Sequence, residues 1–225
     1  MEEKIKVLGV ELDCLTAKEA MINVLQFFEN DALDAVELIS MNMLMNGQDD
    51  PQWQEMTGRL QMLLPGEAEI LEAAQVGDRT KVKDAGERTF LKMFMKYLQK
   101  SHKRVFLLAE SEEEMLRVED AVRHFNRGIR FTGHALLQPQ DNLEENVIND
   151  INGTETDCIL SVLPSPYQEE FIARNRPLLN AKVWLGCGSA LWQSYDERKL
   201  SKRIWHFFLC RMFRRSVELQ QREER

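Results

Sequence analysis

Little in this chain provides for covalent bracing. Its 225 residues include four cysteines, Cys14, Cys158, Cys187 and Cys210. None are paired as C-x-x-C and no histidine lies at zinc spacing, so a disulfide scaffold and a structural zinc site are both disfavoured. Widely spaced single cysteines without a secretory signal read as reduced thiols in a cytoplasm. Cys158 and Cys187 sit inside apolar runs and are expected in the core. No run approaches ~18 consecutive apolar residues, which disfavours a spanning helix. The charged opening, Met1 to Lys6, leads into no apolar h-region, so no secretory signal is expected. There is no G-x-G-x-x-G and no Walker loop, which removes the usual support for a dinucleotide or P-loop site. No D-x-D follows a strand, and no nucleophile elbow is present.

What is present is the balance of a folded protein. Apolar residues make up 44% and charged residues 29%, and a chain of this length buries a sizeable core without staples. One large domain, or one domain plus an appendage, is expected. The net charge of −8 is unevenly spread. Arg198, Lys199, Lys202, Arg203, Arg211, Arg214 and Arg215 form a basic window without an acidic residue, leaving −15 on the rest of the chain. An acidic body repels a nucleic-acid backbone, so no nucleic-acid partner is expected. One basic end on such a body suggests a local anionic partner: a phosphate, a pyrophosphate or a lipid headgroup.

Short apolar runs alternate with helical patterns. Strands are expected at Ile5–Val10, Ala35–Ile39, Leu60–Leu64, Arg104–Leu108, Ile129–Phe131, Asp157–Val162 and Ala181–Leu185. Thr16, with Glu19 three residues on, is a capping box for a helix reaching about Glu29. Helices are also expected over Arg88–Gln99, over Glu112–Asn126 behind the Ser111 cap, and over Pro166–Asn175. This alternation predicts an α/β fold, a Rossmann-like single domain with a mostly parallel sheet and a C-terminal helical appendage. A compositional break at Gln193–Glu197 divides an α/β domain, 1–195, from a basic amphipathic appendage, 196–225. In that appendage Trp205, Phe208, Leu209, Met212 and Phe213 fall on one helical stripe. Lys199, Arg203, His206, Cys210 and Arg214 fall near the opposite side. The segment reads either as a terminal helix docking its stripe on the body or as a basic helix lying on an anionic membrane surface.

Ligands of open α/β sheets bind beyond the carboxyl ends of the strands. The residues that follow the expected strands are therefore the ones to inspect: Ser40 and Asn42; Gly66, Glu67 and Glu69; Ala109 and Glu110; Gly133 and His134; Pro164 to Glu169; and Gly186 to Ser189. They form a polar rim with small residues that let backbone approach a ligand. Glu67 and Glu69 could each supply a general base, since burial raises a carboxyl pKa. For Glu69 a solvated helix start is the simpler reading.

The order of these pieces resembles the WecG/TagA/CpsF family of bacterial glycosyltransferases over nearly the whole chain. Val7-Leu8-Gly9-Val10, Asp13, Leu15-Thr16 and Glu19-Ala20 look like the family's opening. Ser40-Met41-Asn42 stands where the family has T-x-N, and Leu64-Pro65-Gly66 where it has L-P-D-G. Gly133 matches a family glycine. Pro166-Tyr167-Gln168-Glu169 resembles P-K-Q-E, and Gly186-Cys187-Gly188 resembles G-V-G. Arg211 and Arg214 resemble the R-x-x-R of the family's appendage. Departures stand beside these matches. Gly66, or a deletion, falls at the family's aspartate, its expected base. Pro164 replaces a glycine, Tyr167 a lysine and Ala109 a glycine, and E-W-x-x-R survives only as Trp205.

The resemblance implies transfer of an N-acetylmannosamine-type sugar from a UDP donor to a polyprenyl-diphosphate-linked acceptor in cell-surface polysaccharide synthesis. It implies no metal and no cofactor beyond the UDP-sugar substrate, a cytoplasmic protein peripheral to the inner membrane face, and self-association. Together with the carboxylate reading above, it points to Glu67 and Gln168 as catalytic. Ser40, Asn42, Gly66, Gly133, Glu169, Gly186 and Gly188 would bind substrate, with Arg211, Arg214 and Arg215 closing on the diphosphate. Either Glu67 replaces the lost aspartate as base, or the chain has kept the fold and become a binding or scaffold protein.

Overall fold

The computed structural model of the protein describes residues 3–139, 143–188, 190–193 and 200–223. The expected boundary at 195/196, Ser189, Arg198 and Lys199 lie outside the described residues, as do the side chains of Lys202, Arg203 and Trp205. The chain opens with β1 (Lys4–Val7) and β2 (Val10–Asp13), an antiparallel hairpin. A single strand over Ile5–Val10 was expected. The chain reverses instead because Leu8 and Gly9 both take left-handed φ, +48° and +85°, the two-residue turn that matches strand twist. Asp13, at the end of the hairpin, accepts the Leu63 N–H at 2.8 Å and ties the hairpin to the main sheet.

The main sheet is parallel throughout. Its strands are β3 (Asp34–Ile39), β4 (Met62–Pro65), β5 (Arg104–Ala109), β6 (Arg130–Leu136), β7 (Cys158–Ser161) and β8 (Val183–Gly186), in the order β4-β3-β8-β7-β5-β6. The inner strands are covered on both faces, which is why they read as apolar runs. The edge strand β6 runs five residues beyond the expected Phe131. It is half exposed and carries Thr132 and His134, so its apolar signal stops early.

Helices α1 (Ala17–Phe27), α6 (Thr89–Lys100) and α7 (Glu112–Phe125) bury one face of the sheet. Helices α8 (Glu144–Gly153) and α9 (Tyr167–Asn175) bury the other. The Thr16–Glu19 capping box is formed, with the Thr16 N–H donating to Glu19 at 2.8 Å. Short helices fill the connections: α2 (Met41–Gly47) and α3 (Pro51–Gly58) after β3, and α4 (Ala68–Ala73) and α5 (Arg79–Glu87) after β4. Helix α10 (Ala190–Gln193) follows β8 and leads to α11 (Leu200–Glu223). No helix among the described residues is long and apolar enough to cross a membrane.

The C-terminal helix docks through one edge of its expected apolar stripe, Leu209 and Phe213, extended by Val217. Phe213 and Val217 are buried with Leu209 beside them, in a third core shared with the hairpin, α2 and α3. Two residues of the polar side also reach α4. His206 meets Glu69 at 2.8 Å and Arg214 meets Glu72 at 2.8 Å, both acids on α4. Phe208 and Met212 of the expected stripe stay exposed, as does Phe207 beside them. The pairs with α4 flank this apolar contact and leave the other part of the stripe facing solvent.

A Cβ on Gly47 would lie 2.0 Å from the Trp53 ring, which is itself buried. Gly47→Ala is expected to cost ~1–3 kcal/mol through overpacking. Gly58, where a Cβ meets nothing within 4 Å, should tolerate alanine or gain ~0.4–1 kcal/mol. Urea unfolding of the two variants measures the contrast; equal effects would contradict it.

Candidate active site

A cleft of about 350 Å³ opens at the carboxyl ends of β3, β4, β7 and β8. Neighbouring strands β5 and β7 send their following helices to opposite sides of this region, since β5 leads to β6 and β7 leads to β8. A crevice at such a divergence is where open α/β sheets hold ligands. Four loops build its wall. Ser40 ends β3 and caps α2, accepting the Met43 N–H at 3.2 Å; Asn42 and Asn46 follow on α2 and face the cleft. Gly66 ends β4, where its N–H donates to the Ile39 carbonyl at 2.8 Å. Pro164, Ser165 and Pro166 follow β7, with a cis bond before Pro166, and lead into Gln168. Cys187 and Gly188, the latter at φ +45°, follow β8.

Glu67 is the best-placed acid. Its Oε2 accepts the Met41 N–H at 2.8 Å, so it shares the start of α2 with Ser40. Burial raises its pKa above the ordinary glutamate value, and Glu69 adds to this; the Met41 N–H, His206 and Arg88 pull the other way. A carboxyl held up by burial keeps a proton more readily than an ordinary glutamate, which suits it to proton exchange with a ligand. Glu114, reaching in from α7, is likewise raised by burial. Arg88, left-handed at φ +52° between α5 and α6, lines the same cleft and donates to the Ala190 carbonyl at 3.2 Å.

Beneath the floor lies a buried acid pair. Glu37, in the middle of β3, and Glu169, on α9, are both fully shielded from solvent. Burial pushes the Glu37 carboxyl well up, and the neighbouring Glu169 carboxyl pushes it further; burial also raises Glu169. Two carboxyls so close cannot both ionise in a dry interior. The Gln168 amide N–H donates to Glu37, which fixes that side chain on the cleft floor. Gly186 leaves the room for this contact, since its Cβ would sit 2.8 Å from Gln168 Nε2 and 3.0 Å from Glu37 Cδ.

A family model described as the glycosyl transferase WecG/TagA/CpsF family matches residues 5–195. The chain belongs to that family. No curated protein matches it.

In this WecG/TagA/CpsF member, Ser40, Asn42, Gly66, Glu67, Gln168 and Gly188 come together on one cleft. The other expected site residues lie elsewhere. Glu169 and Gly186 sit beneath the lining. Gly133 is in the edge strand, where a Cβ would lie 2.6 Å from the Phe106 ring, a packing need. Arg211, Arg214 and Arg215 are on exposed positions of α11, away from the cleft lining, and Arg214 is paired with Glu72. Tyr167, at the family's lysine, is buried and donates to Glu144 at 3.2 Å rather than lining the cleft. Sequence reading missed Arg88, Glu37, Trp53 and Glu114. Arg88 lies far along the chain from the expected basic window, and a lone glutamate inside an apolar strand was the available sign for Glu37.

The buried pair makes a signed pH expectation. The folded state holds these carboxyls protonated above their ordinary value of 4.5. The unfolded chain therefore binds fewer protons in that window, and stability falls as pH rises through it, by up to ~1.4 kcal/mol per pH unit for one proton. Glu37→Gln keeps an acceptor for Gln168 and removes one acid, so it should flatten the decline seen in thermal melts as pH rises above the ordinary glutamate value. Parallel slopes for wild type and variant would contradict a shared buried proton.

Proposed function

We propose that the protein transfers an N-acetylmannosamine-type sugar from a UDP donor to a polyprenyl-diphosphate-linked acceptor, with Glu67 as general base. The observation that carries this reading is the convergence of Glu67, Gln168, Ser40, Asn42 and Arg88 on one cleft at the strand ends. A volume of about 350 Å³ is within the range of small-molecule sites. In the proposed step the Glu67 carboxylate takes the proton of the acceptor hydroxyl. That oxygen bonds to the anomeric carbon, and the bond from carbon to the diphosphate oxygen breaks with its electron pair leaving on UDP. The Arg88 guanidinium meets the charge that develops on the diphosphate. The amides of Asn42 and Gln168 orient the sugar, Gln168 being held by Glu37.

Gly66 supports Glu67 over a side chain at the family's aspartate position. A Cβ there would lie 3.0 Å from the Ile39 carbonyl oxygen, so a side chain at this turn needs the backbone to give by a few tenths of an ångström. The alternative, a relative that binds the donor without turning it over, is an outcome of the same experiment. UDP release is measured with a UDP-sugar and a lipid-linked acceptor analogue, and UDP binding by thermal shift. Glu67→Gln still accepts the Met41 N–H, so it should bind UDP as the wild type does while losing ~10²–10⁴-fold in turnover. Unchanged turnover would remove Glu67 as the base. UDP stabilisation without turnover by the wild type would leave a binding protein.

The same reading places the protein at the inner membrane face through α11. Its outward side carries Phe207, Phe208, Met212 and Leu219 exposed, interleaved with Arg211 and Arg215. Apolar side chains among basic ones suit an anionic lipid surface. Phe208→Ser with Met212→Ser should sharply reduce co-sedimentation with vesicles containing anionic lipid. Equal sedimentation would contradict this role for the helix.

A further inference from the structure

The docked side of α11 carries a cluster that the sugar-transfer reading does not use. His206 and Cys210 are four residues apart on one helix, so their side chains share a face. Glu69 reaches the same point from α4. Its Oε1 is 2.8 Å from His206 Nε2 and 3.8 Å from Cys210 Sγ, and the donor atoms of all three lie within 4.8 Å of one another. We propose that Glu69, His206 and Cys210 form a zinc-binding site that clamps the C-terminal helix to α4.

The donor set favours this metal. A thiolate, an imidazole and a carboxylate are the three ligand types zinc takes, and three protein ligands leave a fourth tetrahedral position for water. Bonds of ~2.0–2.3 Å at tetrahedral angles separate ligand atoms by roughly 3.3–3.8 Å. For one sulfur and one oxygen the separation is roughly 3.5 Å, so the 3.8 Å between Cys210 Sγ and Glu69 Oε1 needs to close by only about 0.3 Å. The imidazole and carboxylate need to open by only about half an ångström as an ion replaces their hydrogen bond. The site is reachable, with 35% of the His206 side chain and 25% of Glu69 exposed.

Plain docking accounts for part of the arrangement. Phe213 and Val217 supply burial, and the Glu69–His206 and Arg214–Glu72 pairs supply polar matching. It does not call for a thiol at Cys210. The other three cysteines are buried in the domain, whereas Cys210 alone is half-buried, with its sulfur turned to a carboxylate. Ligand spacing along the chain disfavoured a structural zinc site, and the family resemblance implied no metal; here one ligand is supplied by a distant helix. The clamp would hold α11 to the helix that begins immediately after Glu67, so metal occupancy would govern how firmly the tail stays beside the cleft.

The test uses the full, reduced chain titrated with cobalt(II) as a spectroscopic probe, then with zinc. Binding of one equivalent is expected, with a thiolate-to-cobalt charge-transfer band that zinc abolishes. Cys210→Ser should lose the band, and His206→Ala should lose stoichiometric binding. Zinc should raise the melting temperature of the wild type but not of either variant. In the wild type it should also slow tryptic cleavage at Arg211 and Arg215, a readout that does not depend on the variants folding. Absence of the band, its survival in Cys210→Ser, or wild-type tryptic cleavage unaffected by zinc would each overturn the proposal.

Discussion

The hydrogen bond from the Met41 N–H to Glu67, 2.8 Å long, holds together two loops that leave neighbouring parallel strands. One carboxyl oxygen is committed to the start of α2, and this fixes where the rest of the group sits. The Gly66 N–H to the Ile39 carbonyl, at 2.8 Å, repeats the tie one residue earlier. Ser40, Asn42 and Gly66 take their places in the cleft from these contacts. The helix start favours a charged carboxylate, while burial opposes it more strongly, and burial wins.

The second constraint lies below the cleft. In the middle of the apolar inner strand β3 stands a fully buried acid, Glu37, facing another, Glu169, from the helix above. Burying two carboxyls is costly, and an apolar pair would pack with less penalty. What the arrangement supplies is an acceptor for Gln168 at a fixed point on the floor. Stability is given up to hold a polar side chain where a ligand can reach it, as happens at functional sites.

The alternation of buried strands and capped helices was readable because each carries a local signal. Val105–Leu108 is a continuous apolar run, and Thr16–Glu19 and Ser111 are caps with fixed chemistry. The cleft was readable in part because ligands of this architecture collect at strand ends, which drew attention to Ser40, Glu67 and Gln168. What stayed hidden depends on distance along the chain. The hairpin turn places Leu8, a residue with no turn preference, at positive φ. Arg88 enters the cleft from between two helices. The tail is oriented by Glu69 and Glu72, well over a hundred residues away, and no wheel drawn on the tail alone contains them. Gly133 shows the reverse: a match to a family glycine that here serves the Phe106 ring.

Amide hydrogen exchange with and without UDP tests the location of the donor site most directly. Protection is expected over Ser40–Gly47, Gly66–Ala68 and the 162–168 loop, the segments that line the cleft. Protection confined to the β6 edge or to the exposed face of α11, with those three segments unchanged at saturating UDP, would contradict the account.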